Sequence, residues 1–84
     1  MDVYFITVRS VTYGQRAEHV LRKGGIASTL QRTPRWMEEQ GCGYCLLIWT
    51  QDVRRPAKLL EDARIPMRRV YLQREDGLLE EVNL

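Results

Sequence analysis

Eighty-four residues, 44% of them hydrophobic and 29% charged, suit one folded core and exclude both a two-domain chain and a disordered one, since domains below about 50 residues rarely hold a core unaided. The formal charge of +2 divides unevenly: residues 1–74 carry 13 basic and 7 acidic side chains, while residues 75–84 carry four acids and no base. Eleven of the basic residues are arginine, which suits bidentate contact with carboxylate or phosphate. Acids are nevertheless interleaved with them, so the surface reads as solvated arginines, and nucleic acid is not an expected partner.

The opening Met1-Asp2-Val3-Tyr4-Phe5-Ile6-Thr7-Val8-Arg9 has no basic n-region and no small-residue cleavage site. No apolar run approaches the roughly 18 residues of a membrane helix. Neither export nor membrane insertion is expected. The two cysteines then point to a reducing compartment, and a cytoplasmic location is the expectation.

In chain order, Val3 to Arg9 is β-branched and aromatic and predicts a strand with faces Val3/Phe5/Thr7 and Tyr4/Ile6/Val8. After a link through Ser10-Val11-Thr12-Tyr13, the segment Gly14 to Lys23 places Ala17, Val20 and Leu21 at helical spacing and stops at Gly24-Gly25. Ile26 to Arg32 predicts an edge or second strand, ended by Thr33-Pro34-Arg35. Trp36 to Gln40 suits a helical turn after Pro34. Gly41-Cys42-Gly43 then leads into Tyr44 to Trp49, the most strand-like run in the chain and one expected inside the sheet.

Asp52 is a candidate N-cap for a second helix with Pro56 in its first turn. Val53, Ala57, Leu60 and the stem of Arg64 follow at helical spacing, with an end near Ile65-Pro66. Met67 to Arg74 predicts a fourth strand, and the Asp76-Gly77 turn lets Leu78 to Val82 return as a short extra strand. No internal repeat is visible. The order β-α-β-β-α-β predicts an α+β, ferredoxin-like sandwich over residues 1–74, with an acidic extension over 75–84, the whole of 1–84 forming one domain. Its four-stranded antiparallel sheet carries two helices on one face. Tyr44/Leu46/Ile48 and Cys45/Leu47/Trp49 give both faces apolar side chains, so something must cover the second face, and a homodimer is the simplest cover.

Chemistry centres on Cys42, a thiol between two glycines at the junction of loop and strand. Gly41 and Gly43 remove bulk and free backbone N–H groups to turn toward a thiolate, while Arg35 lies seven residues upstream. Both effects would lower the thiol pKa. The other reading is a tight turn with Cys42 as small apolar filler. Cys42-Gly43-Tyr44-Cys45 is also a C-x-x-C motif, but residues three apart on a strand point to opposite faces about 10 Å apart, so Cys45 is expected to be packed and not redox-paired. Trp36, between Arg35 and Cys42, either covers the thiol or plugs the core.

One histidine, His19, sits mid-helix and is expected to be solvated. Glu38-Glu39, Asp52, Glu61 and Asp62 lack the histidine, serine or glycine-rich frame of acid–base catalysis or a phosphate loop. With two cysteines and one histidine, neither a metal nor a cofactor is expected.

The succession of an opening strand, a helix containing Ala17-Glu18-His19-Val20-Leu21, the Gly25-Ile26 step, Thr33-Pro34-Arg35 and then Cys42-Gly43 before an apolar strand resembles the selenium/sulfur (Se/S) carrier protein-like family of small bacterial domains. The likeness runs from about Tyr4 to Tyr71. The sequence departs from the family pattern in Gly41, in the second cysteine Cys45 and in the acidic tail. The resemblance implies a thiol carrier and not a stand-alone enzyme: Cys42 bears sulfur or selenium as a persulfide or selenopersulfide, between donor and acceptor proteins. Gly43 and Gly41 would supply backbone at the thiol and Arg35 an electrostatic partner. A dimeric module that binds protein or nucleic acid, with Cys42 incidental, is the alternative from another class.

Overall fold

The computed structural model describes residues 2–33 and 43–84. Among them the order is β1 (Asp2–Val8), α1 (Val11–Lys23), β2 (Ala27–Arg32), β3 (Tyr44–Thr50), α2 (Arg54–Asp62), β4 (Arg69–Gln73) and β5 (Leu79–Glu81). Antiparallel pairing joins the strands in the order β2-β3-β1-β4-β5. This is the expected ferredoxin-like sandwich with its extra C-terminal strand. Trp36 to Gln40, read as a helical turn, lies outside the described residues, as do Arg35, Gly41 and Cys42.

Strand alternation sends Tyr4, Ile6 and Val8, Leu46 and Ile48, and Val70 under the helices, where Ala17, Leu21, Val53, Leu60, Ile26 and Ile65 close the core over them. In register, Leu30, Leu46, Ile6 and Val70 form one continuous row across four strands. The opposite face carries Phe5 and Cys45, with Val3, Leu47, Tyr71 and Leu79 half-buried around them. Trp49 is 36% exposed there. Among the described residues no helix is long and apolar enough to cross a membrane.

Three boundaries differ from expectation, each for a local reason. First, α1 begins at Val11 and not at Gly14, because the Ser10 side chain accepts from Tyr13 N–H at 3.2 Å and caps the helix. Gly14 is instead a point of close approach, where a Cβ would run into the Leu30 side chain of β2. Second, Asp52 stands one position early to be the N-cap, which is Val53, although its carboxylate still accepts from Arg54 N–H at 3.0 Å. Third, α2 ends at Asp62 and leaves Arg64 outside the helix, at φ 60°.

Both helices stop in the same Schellman turn. After α1, Ile26 N–H donates to Leu21 O and Gly25 N–H to Arg22 O; after α2, Ile65 N–H donates to Leu60 O and Arg64 N–H to Glu61 O. One arginine from each helix completes the likeness by crossing over: Arg16 donates to Ala63 O and Arg55 to Gly24 O. Each of these equivalences is an offset of 39 positions in the sequence. The first turn has Gly25 in the left-handed position, at φ 77°, and the second has Arg64 there. Because a side chain at positive φ costs about 1 kcal/mol relative to glycine, Arg64→Gly is expected to raise the melting temperature by roughly 4–8 °C. A thermal melt in which Arg64→Gly is no more stable than wild type would contradict this account of the turn.

The acidic tail is also structural. Gly77, at φ 87°, turns the chain. Then β5 pairs with β4, bringing Glu80 to Arg74 at 2.8 Å and Glu81 to Arg69 at 4.0 Å. These exposed pairs contribute little to stability. They do offset the basic charge of β4.

Candidate functional site

The Thr33-Pro34-Arg35 and Cys42-Gly43 motifs meet the described structure at their outer residues. Thr33 follows β2 and Gly43 precedes β3, and Thr33 N–H donates to Gly43 O at 3.0 Å, extending the Arg32–Tyr44 register by one pair. Both residues are buried. Residues 34–42 therefore leave and rejoin the sheet at two positions clamped to each other, and Cys42 is the residue bonded to the second of them. Just inside the clamp the Arg32 guanidinium lies over the Tyr44 ring, 5.9 Å from its centre.

Cys45 is where strand alternation placed it. It lies on the second face, between Gln31 of β2 and Thr7 of β1 in register, beside Phe5, and none of it reaches solvent. Burial pushes its thiol above the ordinary range, against the opposing pull of the Gln31 and Thr33 side chains. The Thr33 hydroxyl is itself sealed from solvent and completes no hydrogen bond among the described residues, although it stands close enough to the thiol to favour the thiolate. Desolvation dominates. Cys45 is a neutral packed thiol and a poor nucleophile.

Gln31 carries no motif signal, and nothing in Thr33-Pro34-Arg35 points to Cys45. The place of Gln31 and Thr33 beside Cys45 follows from the β2–β3 register, under which positions 31 and 33 oppose 45 and 43, and that register cannot be read before the strands are paired.

A pH dependence follows from the buried thiol. Its pKa is higher folded than unfolded, so its contribution is complete below the unfolded value of about 8.5 and is lost as pH rises toward the folded one. The melting temperature is expected to fall above roughly pH 9, and to fall less in Cys45→Ala. Tyr4, its phenol pushed up by burial and by Asp2 and Asp52, acts in the same direction at higher pH. Identical alkaline profiles for wild type and Cys45→Ala would mean that the thiol is not desolvated.

The remaining candidates do not gather. His19 is exposed on α1, and Glu61 and Asp62 are exposed on α2, with Lys58 reaching Asp62 at 3.3 Å. Hydrogen bonds from the Arg54 side chain and backbone hold the Asp52 carboxyl below its usual range. A groove of about 420 Å³ lined by Trp49, Asp52 and Arg55 lies at the end of β3 remote from Gly43. Among the described residues no three His, Cys, Asp or Glu side chains come together to hold a metal ion. Arg35, Trp36, Glu38, Glu39, Gly41 and Cys42 lie outside the described residues.

No curated protein and no solved structure matches the chain. The family model described as "Putative Se/S carrier protein-like" matches residues 3–72, a span that runs from β1 through β4 and takes in Thr33-Pro34-Arg35, Cys42-Gly43 and both clamped junctions. The chain belongs to the Se/S carrier protein-like family.

Proposed function

We propose that the protein carries sulfur or selenium on Cys42 between a donor and an acceptor protein. The Cys42 thiolate attacks the terminal sulfur of a donor persulfide, the donor's S–S bond breaks and the donor leaves as a thiolate, and Cys42 becomes a persulfide. An acceptor nucleophile then takes the terminal sulfur and returns the Cys42 thiolate. Two electrons move with each S–S exchange and no external oxidant is consumed. Turnover belongs to the partner proteins, which makes this chain a carrier and not an enzyme. Selenium follows the same course through a selenopersulfide.

The observation that carries this reading is the burial of Cys45. Cys45 is out of solvent with its ionisation suppressed, which leaves Cys42, attached to the sheet through Gly43, as the thiol for exchange. The Thr33–Gly43 clamp supports it by fixing both ends of the segment that bears the family motif. In this reading Arg35 holds the anionic sulfur electrostatically, and Gly41 and Gly43 keep side chains away from it. Sulfur loading of wild type, Cys42→Ser and Cys45→Ser by a cysteine desulfurase tests the assignment.

A further inference from the structure

The two edges of the sheet are protected in different ways. At one, β5 has three residues, two of them Glu80 and Glu81. A short, acidic edge resists pairing with another chain. At the other, β2 has six residues and no charge before Arg32. Thr33 N–H turns inward to Gly43, so in an antiparallel pair Thr29 and Gln31 also turn their backbone groups toward β3, and Ser28, Leu30 and Arg32 turn theirs outward. The middle donor of that outward row is taken: Leu30 N–H donates to Glu18 Oε2 at 3.2 Å. The carboxylate reaches it because α1 lies close on β2, at the place where Gly14 meets Leu30.

We propose that Glu18 guards the β2 edge, occupying the place where the carbonyl of an added strand would accept from Leu30. The occupant it excludes is β2 of a second copy, running antiparallel about a two-fold axis at Leu30. That register sets Leu30 against Leu30, Ser28 against Arg32 and Thr29 against Gln31. No like charges oppose one another, and apolar side chains meet at the centre. The Leu30 pair would exchange both backbone hydrogen bonds, replacing the one that Glu18 supplies.

The experiment compares wild type, Glu18→Ala and Glu18→Gln by sedimentation over a range of concentrations, and by hydrogen exchange at the Leu30 amide. In Glu18→Ala the particle mass is expected to double relative to wild type as concentration rises. At low concentration its Leu30 amide is expected to exchange at least about tenfold faster, since the bond to a charged acceptor is gone. Glu18→Gln keeps an acceptor oxygen and should keep the wild-type mass, with a Leu30 exchange rate between those of wild type and Glu18→Ala because its acceptor is neutral. Adding Ser28→Pro to Glu18→Ala removes an outward donor at an edge position that tolerates proline, and should abolish the doubling. If Glu18→Ala keeps the wild-type mass and Leu30 exchange rate, the guard does not exist. If the mass doubles but survives Ser28→Pro, the copies meet on another surface, such as the apolar face around Phe5, and the proposal is wrong.

Discussion

Incubated with a cysteine desulfurase and cysteine, the wild-type protein is expected to gain one cyanide-labile sulfur per chain, Cys42→Ser none, and Cys45→Ser as much as wild type. The difference is close to all-or-none because both requirements for attack fail at Cys45. An ordinary exposed thiol with pKa near 8.5 is about one-tenth ionised at pH 7.5, and any cation near it raises that fraction. Burial raises the Cys45 thiol above that ordinary value and keeps it wholly out of solvent, so a donor persulfide cannot reach it without opening the sheet face. Mass spectrometry of the intact chain and of its peptides reads both amount and position. Loading of Cys42→Ser to the wild-type level, or label confined to Cys45, would end the carrier assignment even though the family membership stands.

Leu46→Ala is expected to lose about 2–5 kcal/mol of stability, the range for removing a large aliphatic side chain from a packed core. Leu46 is 0% exposed and stands between Ile6 and Leu30 in the row that crosses four strands under the helices. A cavity there loses contacts to both helix and sheet layers. Total stability for a chain of this length is about 4–12 kcal/mol at the usual value per residue, so the variant gives up a large part of it. At 4–8 °C per kcal/mol the melting temperature should fall by roughly 8–40 °C. Leu78, 65% exposed beyond the β4–β5 turn, is the control: Leu78→Ala should stay within about 0.5 kcal/mol of wild type. A loss below 1 kcal/mol at Leu46 would mean that the core is not organised around this row.

Alternation along β1 and β3 was legible because it has period two and both strands are long enough to show it. Tyr4/Ile6/Val8 and Leu46/Ile48 went under the helices, and Cys45 with Leu47 went to the second face. The strand context of Cys45, which separates this C-x-x-C from one that opens a helix, could be argued from the Tyr44 to Trp49 run alone. Helix ends were less legible. Apolar spacing locates the buried stripe of α1 but says nothing about its exposed first turn, so it does not reveal the Ser10 cap. Arg64 fits the period of α2, whereas the hydrogen bonds of the Arg64 and Ile65 N–H groups close the helix in a turn there. The 39-position likeness of the two helix ends shows in sequence only as the scattered pairs Arg16/Arg55, Leu21/Leu60 and Ile26/Ile65, because the turn itself rests on main-chain geometry shared by Gly25 and Arg64, residues with no side-chain chemistry in common.

By itself the sequence determined which segments become strands and helices, which side chains each strand sends to each face, and which family the Thr33-Pro34-Arg35 and Cys42-Gly43 motifs belong to. These are local properties, fixed by hydrophobic period, turn residues and short motifs. Tertiary structure alone decided the register that faces Thr33 with Gly43 and sets Gln31 and Thr33 beside Cys45. It also decided the closing of the acidic tail onto Arg69 and Arg74 and the placing of Glu18 on an edge amide twelve residues away. Those outcomes depend on which strand lies at the edge and how closely a helix packs over it, and both are settled by the whole sheet assembling around one core.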